Sequence, residues 1–270
     1  MEWKKLKCNH AEDLVTVTQN DGEYVVISDL HVPFHIEEAI EAIIEEHGDR
    51  DKYLVIAGDY VDCANISVYP KSALNTLLDE ICLANNLLKE LSTHFKQVFL
   101  LDGNHERRLY RYMESQASAV AMFNPQSVNY YVCHELRFHR DSIELVDRLP
   151  KVRYISSRFV QFGDVLITHP ADSLTSTGGV AKRVIETAIS HNLVDFKYAV
   201  IGHTHKVGVI SHLGKLCYEI GCLTYDNSYI AKPNKMRPPQ QHGFCTFEVK
   251  HGKAQRIDLT IFTLDEAFAN

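Results

Sequence analysis

The chain has 270 residues, of which 45% are hydrophobic and 23% charged, so it can bury one large core and lacks the composition of a disordered chain. Its formal charge of -7 argues against a protein that coats nucleic acid nonspecifically. Seven cysteines without a close C-x-x-C pair argue against a disulfide framework and indicate free thiols in a reducing compartment.

The N-terminal segment and the apolar runs indicate the cellular setting. Residues 1–7 are rich in lysine and are not followed by an apolar stretch, so they do not resemble a secretory signal. No run approaches the roughly 20 apolar residues that a membrane span needs. We therefore expect a cytoplasmic protein that does not bind membranes.

The first half of the chain alternates short apolar runs with segments of helical periodicity. The runs at 25–28, 53–57 and 98–101 are too short for ordinary helices and predict buried strands. Between them, residues 36–47 and 71–94 carry apolar side chains three and four positions apart, which predicts amphipathic helices. This alternation predicts a mostly parallel sheet with right-handed crossovers.

The second half, from Arg158 onward, has a different pattern. A helix is predicted at about 178–191, and the strand-like runs are short and closely spaced. They lie at 165–168, 199–201, 207–211, 216–220, 243–249 and 255–261. Close spacing favours antiparallel pairing, so we expect a second, more antiparallel sheet packed on the first.

No linker divides the chain, so we expect residues 1–270 to form a single α/β domain. Its predicted architecture is two packed mixed β-sheets flanked by helices. Residues 117–150 contain several aromatic side chains and two histidines, and they form either a small cap over a cleft or ordinary packing.

Polar side chains follow each of five apolar runs. Ligands in open α/β sheets bind beyond the carboxyl ends of the strands, so we expect one site to collect these side chains. Seven of them are neutral or anionic nitrogen and oxygen ligands: Asp29, His31, Asp59, Asn104, His169, His203 and His205. They suffice for two divalent cations with one bridging carboxylate, and no thiolate is among them.

Each piece also has a structural interpretation when it is taken alone. Asp29 and His31 are compatible with a polar strand end, and Gly58–Asp62 with a turn. Asn104 is compatible with a helix N-cap, and His169 with a hydrogen-bonded core histidine. A structural explanation would have to hold for all the segments at once, so we favour the metal site.

In order along the chain, these segments resemble the five sequence blocks of the calcineurin-like metallophosphoesterase superfamily, from about residue 24 to 206. The blocks are Asp29-x-His31, Gly58-Asp-x-x-Asp62, Gly103-Asn-His-Glu106, His169 and Gly202-His-x-His205. The resemblance implies one cation held by Asp29, His31 and His205. It implies a second cation held by Asn104, His169 and His203, with Asp59 bridging the two. The fold of the family, two packed β-sheets flanked by helices, agrees with the one predicted above.

The resemblance also implies an activity, the hydrolysis of phosphate esters by a metal-bound hydroxide. Manganese is the expected metal, with iron, zinc, nickel and cobalt as alternatives. His105 would protonate the leaving oxygen, and Asp62 would orient its imidazole and hold its pKa near neutrality. The competing interpretation is a scaffold protein with a silent site. We favour the enzyme because every ligand position, His105 and Asp62 are present.

The substrate class is suggested by a departure from the family pattern. In related serine/threonine phosphatases an arginine follows the second block, whereas this chain has Cys63. Loss of a guanidinium favours phosphodiesters of nucleotide or nucleic-acid type over monoesters. The loop from Tyr225 to His242 mixes aromatic and basic residues, which suits nucleotides or single strands. The alternative is a phosphomonoesterase in which Arg107, Arg108 or another arginine distant in sequence replaces the missing one. The sequence does not indicate an oligomeric state.

Overall fold

The structure, a computed structural model, describes residues 15–18, 21–67, 75–116, 126–139, 143–171, 174, 176, 178–191, 195–225 and 239–262. Three predicted features fall partly outside these residues. They are the start of the 71–94 helix, part of the 117–150 cap segment and most of the loop from Tyr225 to His242.

The described residues contain fourteen strands and five α-helices. The strands are β1 (Val15–Thr18), β2 (Gly22–Ile27), β3 (Tyr53–Ile56), β4 (Gln97–Leu101), β5 (His134–Phe138), β6 (Ile143–Arg148), β7 (Val152–Ile155), β8 (Phe159–Phe162), β9 (Val165–Thr168), β10 (Tyr198–Ile201), β11 (Val207–His212), β12 (Lys215–Ile220), β13 (His242–Lys250) and β14 (Lys253–Phe262). The helices are α1 (Glu37–His47), α2 (Leu77–His94), α3 (Arg108–Gln116), α4 (Val128–Val132) and α5 (Gly179–Ser190), with a 3₁₀ turn at Ala64–Ile66.

Two six-stranded sheets form the body of the fold. The first has the strand order β14-β13-β2-β3-β4-β7, in which β2, β3, β4 and β7 run parallel. The second has the order β1-β8-β9-β10-β12-β11 and combines parallel with antiparallel pairs. The prediction of two mixed sheets is confirmed.

The assignment of the last two strands to the second sheet is wrong. Strand β13 pairs antiparallel with β2, at the outer edge of the parallel strands, and β14 pairs with β13. Alternate residues of β13 (Cys245, Phe247 and Val249) nevertheless face the core between the sheets. Because both sheets share this core, the alternation shows that a strand faces it but not which sheet the strand joins.

The strands alternate between two cores, which builds four layers. In β2, Tyr24 and Val26 point between the sheets, whereas Val25 and Ile27 point toward α1, α2 and α4. The outer face of the second sheet is covered by α5. The ring of Tyr24 lies 4.7 Å from that of Phe162, so an aromatic cluster joins the two sheets. This packing fixes the edges of the two sheets relative to each other.

Helix α2 begins at a capping box and connects the sheet to the described part of the cap segment. The Thr76 hydroxyl accepts a hydrogen bond from the Asp79 N–H, and the Asp79 carboxylate accepts one from the Thr76 N–H. The buried amide of Asn85 donates to the carbonyls of Val132 (2.7 Å) and His134 (2.8 Å). Of the helices in the described residues, none combines the length and the apolar composition of a bilayer span.

We expect Asn85→Ala to lower the free energy of unfolding by roughly 2–5 kcal/mol, because two buried carbonyls lose their donors. Asn86→Ala is the matched control, since Asn86 lies on the same helix but is exposed. Urea unfolding followed by circular dichroism would measure both variants. Equal midpoints for the two variants would contradict the anchoring role of Asn85.

Candidate metal and catalytic centre

The candidate site lies at the carboxyl ends of parallel strands from both sheets. Asp29, Asp59 and Asn104 follow β2, β3 and β4 of the first sheet, whereas His169 and the 203–205 segment follow β9 and β10 of the second. The two halves are joined directly, because the His203 N–H donates to Asp29 Oδ2 at 2.8 Å. The structure therefore brings all the predicted ligand positions to one edge.

The backbone of the site is strained. Asp29, His31, Asp59, His203 and His205 have φ between 47° and 75°, in the left-handed region that L residues rarely adopt. Such conformations cost on the order of 1–3 kcal/mol each and persist mainly where function requires them. They turn successive side chains toward a common centre.

Among the residues that the structure describes, three groups of side chains have ligand atoms within 4.8 Å of one another. They are Asp29, His31 and His205; Asp59, His169 and His203; and His31, Asp59 and His105. Asp59 Oδ2 lies 3.2 Å from Nε2 of His169 and 4.0 Å from Nε2 of His31. This central position suits a carboxylate that bridges two cations.

The first group has the geometry of a cation site. Nε2 of His205 lies 3.1 Å from Asp29 Oδ1 and 3.3 Å from Nε2 of His31. Two imidazole nitrogens at this distance repel each other through their lone pairs unless a proton or a cation lies between them. Nitrogen and carboxylate oxygen together suit divalent transition metals.

Polar atoms without a protein hydrogen bond lie in and beside the second group. Within the described part of the chain, Asn104 Oδ1 and His169 Nε2 are buried without a hydrogen bond, although Nε2 is close to Asp59. A buried polar atom left unpaired costs roughly 1–3 kcal/mol. A cation held by Asn104, His169 and His203 would remove that cost, so these residues fit the metal that the family implies.

Hydrogen bonds at the far side of the rings orient the histidines. Nδ1 of His169 donates to the Ala57 carbonyl at 2.8 Å, and Nδ1 of His31 donates to Asp62 Oδ1 at 3.0 Å. In both rings the proton is thereby kept on Nδ1, and the Nε2 lone pair faces the centre. This arrangement is typical of metal-binding histidines.

The charges of the pocket favour cations. Burial alone lowers the pKa of His31 and His169, yet the carboxylates beside them raise each pKa to about 9. Burial raises the pKa of Asp59, but His105 and His169 hold it well below its usual range. Carboxylates that hold a second proton on these rings when no cation is bound would favour a divalent cation in its place, which leaves Nε2 free to coordinate.

His105 and Asp62 lie together at the edge of this pocket. Nδ1 of His105 lies 2.8 Å from the Asp62 carbonyl oxygen and 3.1 Å from its Oδ1, while Nε2 lies 3.6 Å from Asp59 Oδ2. The same Oδ1 also accepts a hydrogen bond from Nδ1 of His31, so Asp62 orients both imidazole rings. Burial lowers the pKa of His105 to about 4, and His31 and Arg108 act in the same direction. In the site without substrate, burial therefore outweighs the Asp62 carboxylate and keeps the pKa of His105 below neutrality.

Contacts that the sequence analysis missed complete the site. The buried Glu106 accepts hydrogen bonds from the Val61 N–H (2.9 Å) and the Gly103 N–H (2.7 Å), which joins two ligand loops. The Ser28 hydroxyl donates to Asp29 Oδ2 at 2.6 Å, and Arg108 contacts His105. Glu106 and Arg108 are near the third block in sequence, but nothing in the pattern shows what they contact.

Two glycines allow the loops to approach the carboxylates. A Cβ on Gly103 would collide with the Asp59 carboxylate. A Cβ on Gly202 would collide with the Ser28 hydroxyl and lie 2.6 Å from Asp29 Oδ2. Both positions thus require glycine because of close approach.

Solved structures similar to the chain are distant. Vacuolar Protein Sorting 29 from Cryptosporidium parvum is 15% identical, with a TM-score of 0.42 over 90% of this chain and 99% of that one. An archaeal phosphodiesterase is 15% identical, with a TM-score of 0.42 over 89% and 99%. A predicted phosphoesterase from Streptococcus pneumoniae is 10% identical, with a TM-score of 0.35 over 90% and 91%. Similarities this remote carry no argument about activity.

The family assignment comes from sequence. No curated protein matches the chain significantly. The family model for calcineurin-like phosphoesterases matches residues 23–207, which span all the ligand positions described above. The chain belongs to the calcineurin-like phosphoesterase family.

Proposed function

We propose that the chain is a dinuclear metal-dependent phosphoesterase that prefers phosphodiesters of nucleotide or nucleic-acid type. The observation that carries the proposal is the position of Asp59, whose carboxylate belongs to two of the ligand groups, one with His31 and His105 and one with His169 and His203. Asp29, His31 and His205 would hold one cation. Asn104, His169 and His203 would hold the other, with Asp59 between them.

Divalent cations in this site, manganese first and iron, zinc, nickel or cobalt as alternatives, would neutralise the charge of the ester and activate water. The protein orients the ligands through Asp62 and the Ala57 carbonyl, which hold the rings of His31 and His169. Burial keeps bulk water from competing for the ligand atoms.

His105 would supply the proton for the leaving oxygen. Its Nδ1 is held by Asp62, so Nε2, which Arg108 contacts in this structure, is the nitrogen that would face the substrate. A phosphoryl anion beside Nε2 stabilises the protonated ring and raises its pKa from the low value that burial imposes. An alkoxide that leaves next to this ring is protonated as it departs.

Backbone strain supports catalysis over a silent scaffold. Five strained residues surround the ligand atoms, and a site without a function would not need to maintain their cost. The buried Asn104 Oδ1, which has no hydrogen-bond partner, supports the same conclusion. A scaffold would gain stability by replacing this amide with an apolar group.

We expect kcat/KM for bis-nitrophenyl phosphate to exceed that for nitrophenyl phosphate on one manganese-loaded preparation. A monoester carries a second negative charge, and Cys63 provides no guanidinium to neutralise that charge. The Cys63 side chain is also buried in the core beneath the helices. Cyclic nucleotides and short RNA or DNA would extend the panel. A ratio well below one would reassign the chain as a phosphomonoesterase, and no turnover of any ester would favour the scaffold.

A further inference from the structure

Arg108 brings a guanidinium to the site from a helix. It is the first residue of α3, three positions after His105. Its Nη1 donates to the Asp62 carbonyl at 2.8 Å, and its Nη2 donates to Nε2 of His105 at 2.6 Å. Arg111, one turn further along the helix, is exposed. Position 108 thus reaches the ring nitrogen that faces the substrate.

The location of Nη2 defines what it can bind. A leaving oxygen that takes a proton from His105 must lie about 2.6–3.2 Å from Nε2. Nη2 is 2.6 Å from that same atom, so the phosphoryl group attached to the leaving oxygen comes within its reach. A guanidinium stays charged and has more N–H donors than the two used here, which suits it to phosphoryl oxygens.

In this chain the side chain at position 63 does not bind the phosphoryl oxygens. Cys63 has a left-handed φ of 53°, and its side chain is fully buried against the helices. The side chain at this position therefore lies inside the fold and presents no group to the substrate. The positive charge that is absent from position 63 is therefore supplied by the helix after the third block.

We propose that Arg108 is the phosphoryl-binding residue of this site, an inference that rests on the proposed phosphoesterase function. When a phosphoryl oxygen arrives, Nη2 turns from His105 to that oxygen, and Nε2 becomes free to face the leaving oxygen. Nη1 remains on the Asp62 carbonyl and keeps the guanidinium in place. Because Nη1 stays on the Asp62 carbonyl, Arg108 contacts the phosphoryl group through Nη2 alone and does not replace the bidentate guanidinium that a monoester dianion needs.

The test is binding of inorganic phosphate to the manganese-loaded full-length chain, measured by calorimetry. Arg108→Gln should weaken phosphate binding roughly 10- to 100-fold, the loss expected for a charge-assisted pair. Arg108→Lys should retain part of the affinity, because it keeps the charge but loses the fork of donors. Arg111→Gln, an exposed change on the same helix, should bind phosphate as the wild type does.

Kinetics separate binding from positioning. If Arg108 binds the phosphoryl group, Arg108→Gln slows esters with good and poor leaving groups by the same factor. Unchanged phosphate affinity, or a loss confined to poor leaving groups and non-additive with His105→Asn, would overturn the assignment in favour of a positioning role. If Arg108→Gln does not fold, the same comparison is made with Arg108→Lys.

The proposed function can fail separately. A wild-type chain that binds phosphate through Arg108 but hydrolyses no ester would refute the enzyme and leave the binding residue in place. A manganese-loaded wild-type chain that hydrolyses esters but does not bind phosphate would refute the assignment of Arg108 alone.

Discussion

Asp59→Asn should reduce kcat/KM by at least about 10³-fold and lower the content of both cations together. Asp59 Oδ2 lies 3.2 Å from Nε2 of His169 and 3.6 Å from Nε2 of His105. Its Oδ1 accepts a hydrogen bond from the backbone N–H of His105 at 2.9 Å. The amide keeps the shape of the carboxylate but removes the negative charge that would bridge the two proposed cations. Elemental analysis of the purified variant, run beside its kinetics, measures the two effects.

Two further variants make this result specific. Asn104→Ala should lose one cation and retain the other, because the proposed function assigns Asn104 only to the cation held by His169 and His203. Asp51→Asn removes an exposed carboxylate in a turn and should change neither metal content nor rate.

Chelation should abolish turnover, and Mn²⁺, Co²⁺ or Ni²⁺ should restore it. Robust hydrolysis by a fully stripped preparation would contradict the dinuclear site.

The fold could be predicted where local pattern determines the element. The apolar run 165–168 is strand β9 with the same boundaries, and the periodic segment 178–191 is α5 within one residue at each end. Strand β13 shows the limit. Its alternating apolar side chains could face the shared core from either sheet. Only its pairing with β2 shows that it belongs to the first sheet. Pairing over more than 200 positions leaves no local signal.

The site could be predicted as a set of residues but not as a geometry. Asp29 and His169 were found because each follows a strand, and the parallel strands carry them to one edge. The left-handed φ values of Asp29 and His31 could not be foreseen, since neither residue is a glycine. The direction of each side chain depends on the φ value of its residue. Cys63 also has a left-handed φ and a buried side chain, and we propose that Arg108 binds the phosphoryl group in its place.

His105→Asn should slow esters with poor leaving groups by roughly 10²–10⁴, the usual range for general acid–base catalysis. A nitrophenolate leaves without a proton, so its release should be slowed much less. The reason is geometric, because Nε2 of His105 lies at the edge of the ligand cluster while Nδ1 is held by Asp62. A series of aryl and alkyl diesters at saturating manganese measures the dependence on the leaving group.

Asp62→Asn should act in the same direction and be non-additive with His105→Asn, since the two side chains form one unit. Asp62 also accepts from Nδ1 of His31 at 3.0 Å, so this variant should weaken one cation as well, by roughly 10- to 100-fold. At saturating metal concentration the weakened cation site is filled, so the remaining loss of rate reports the proton donor alone. If His105→Asn instead slows every ester by the same factor, His105 binds the phosphoryl group and does not protonate the leaving oxygen.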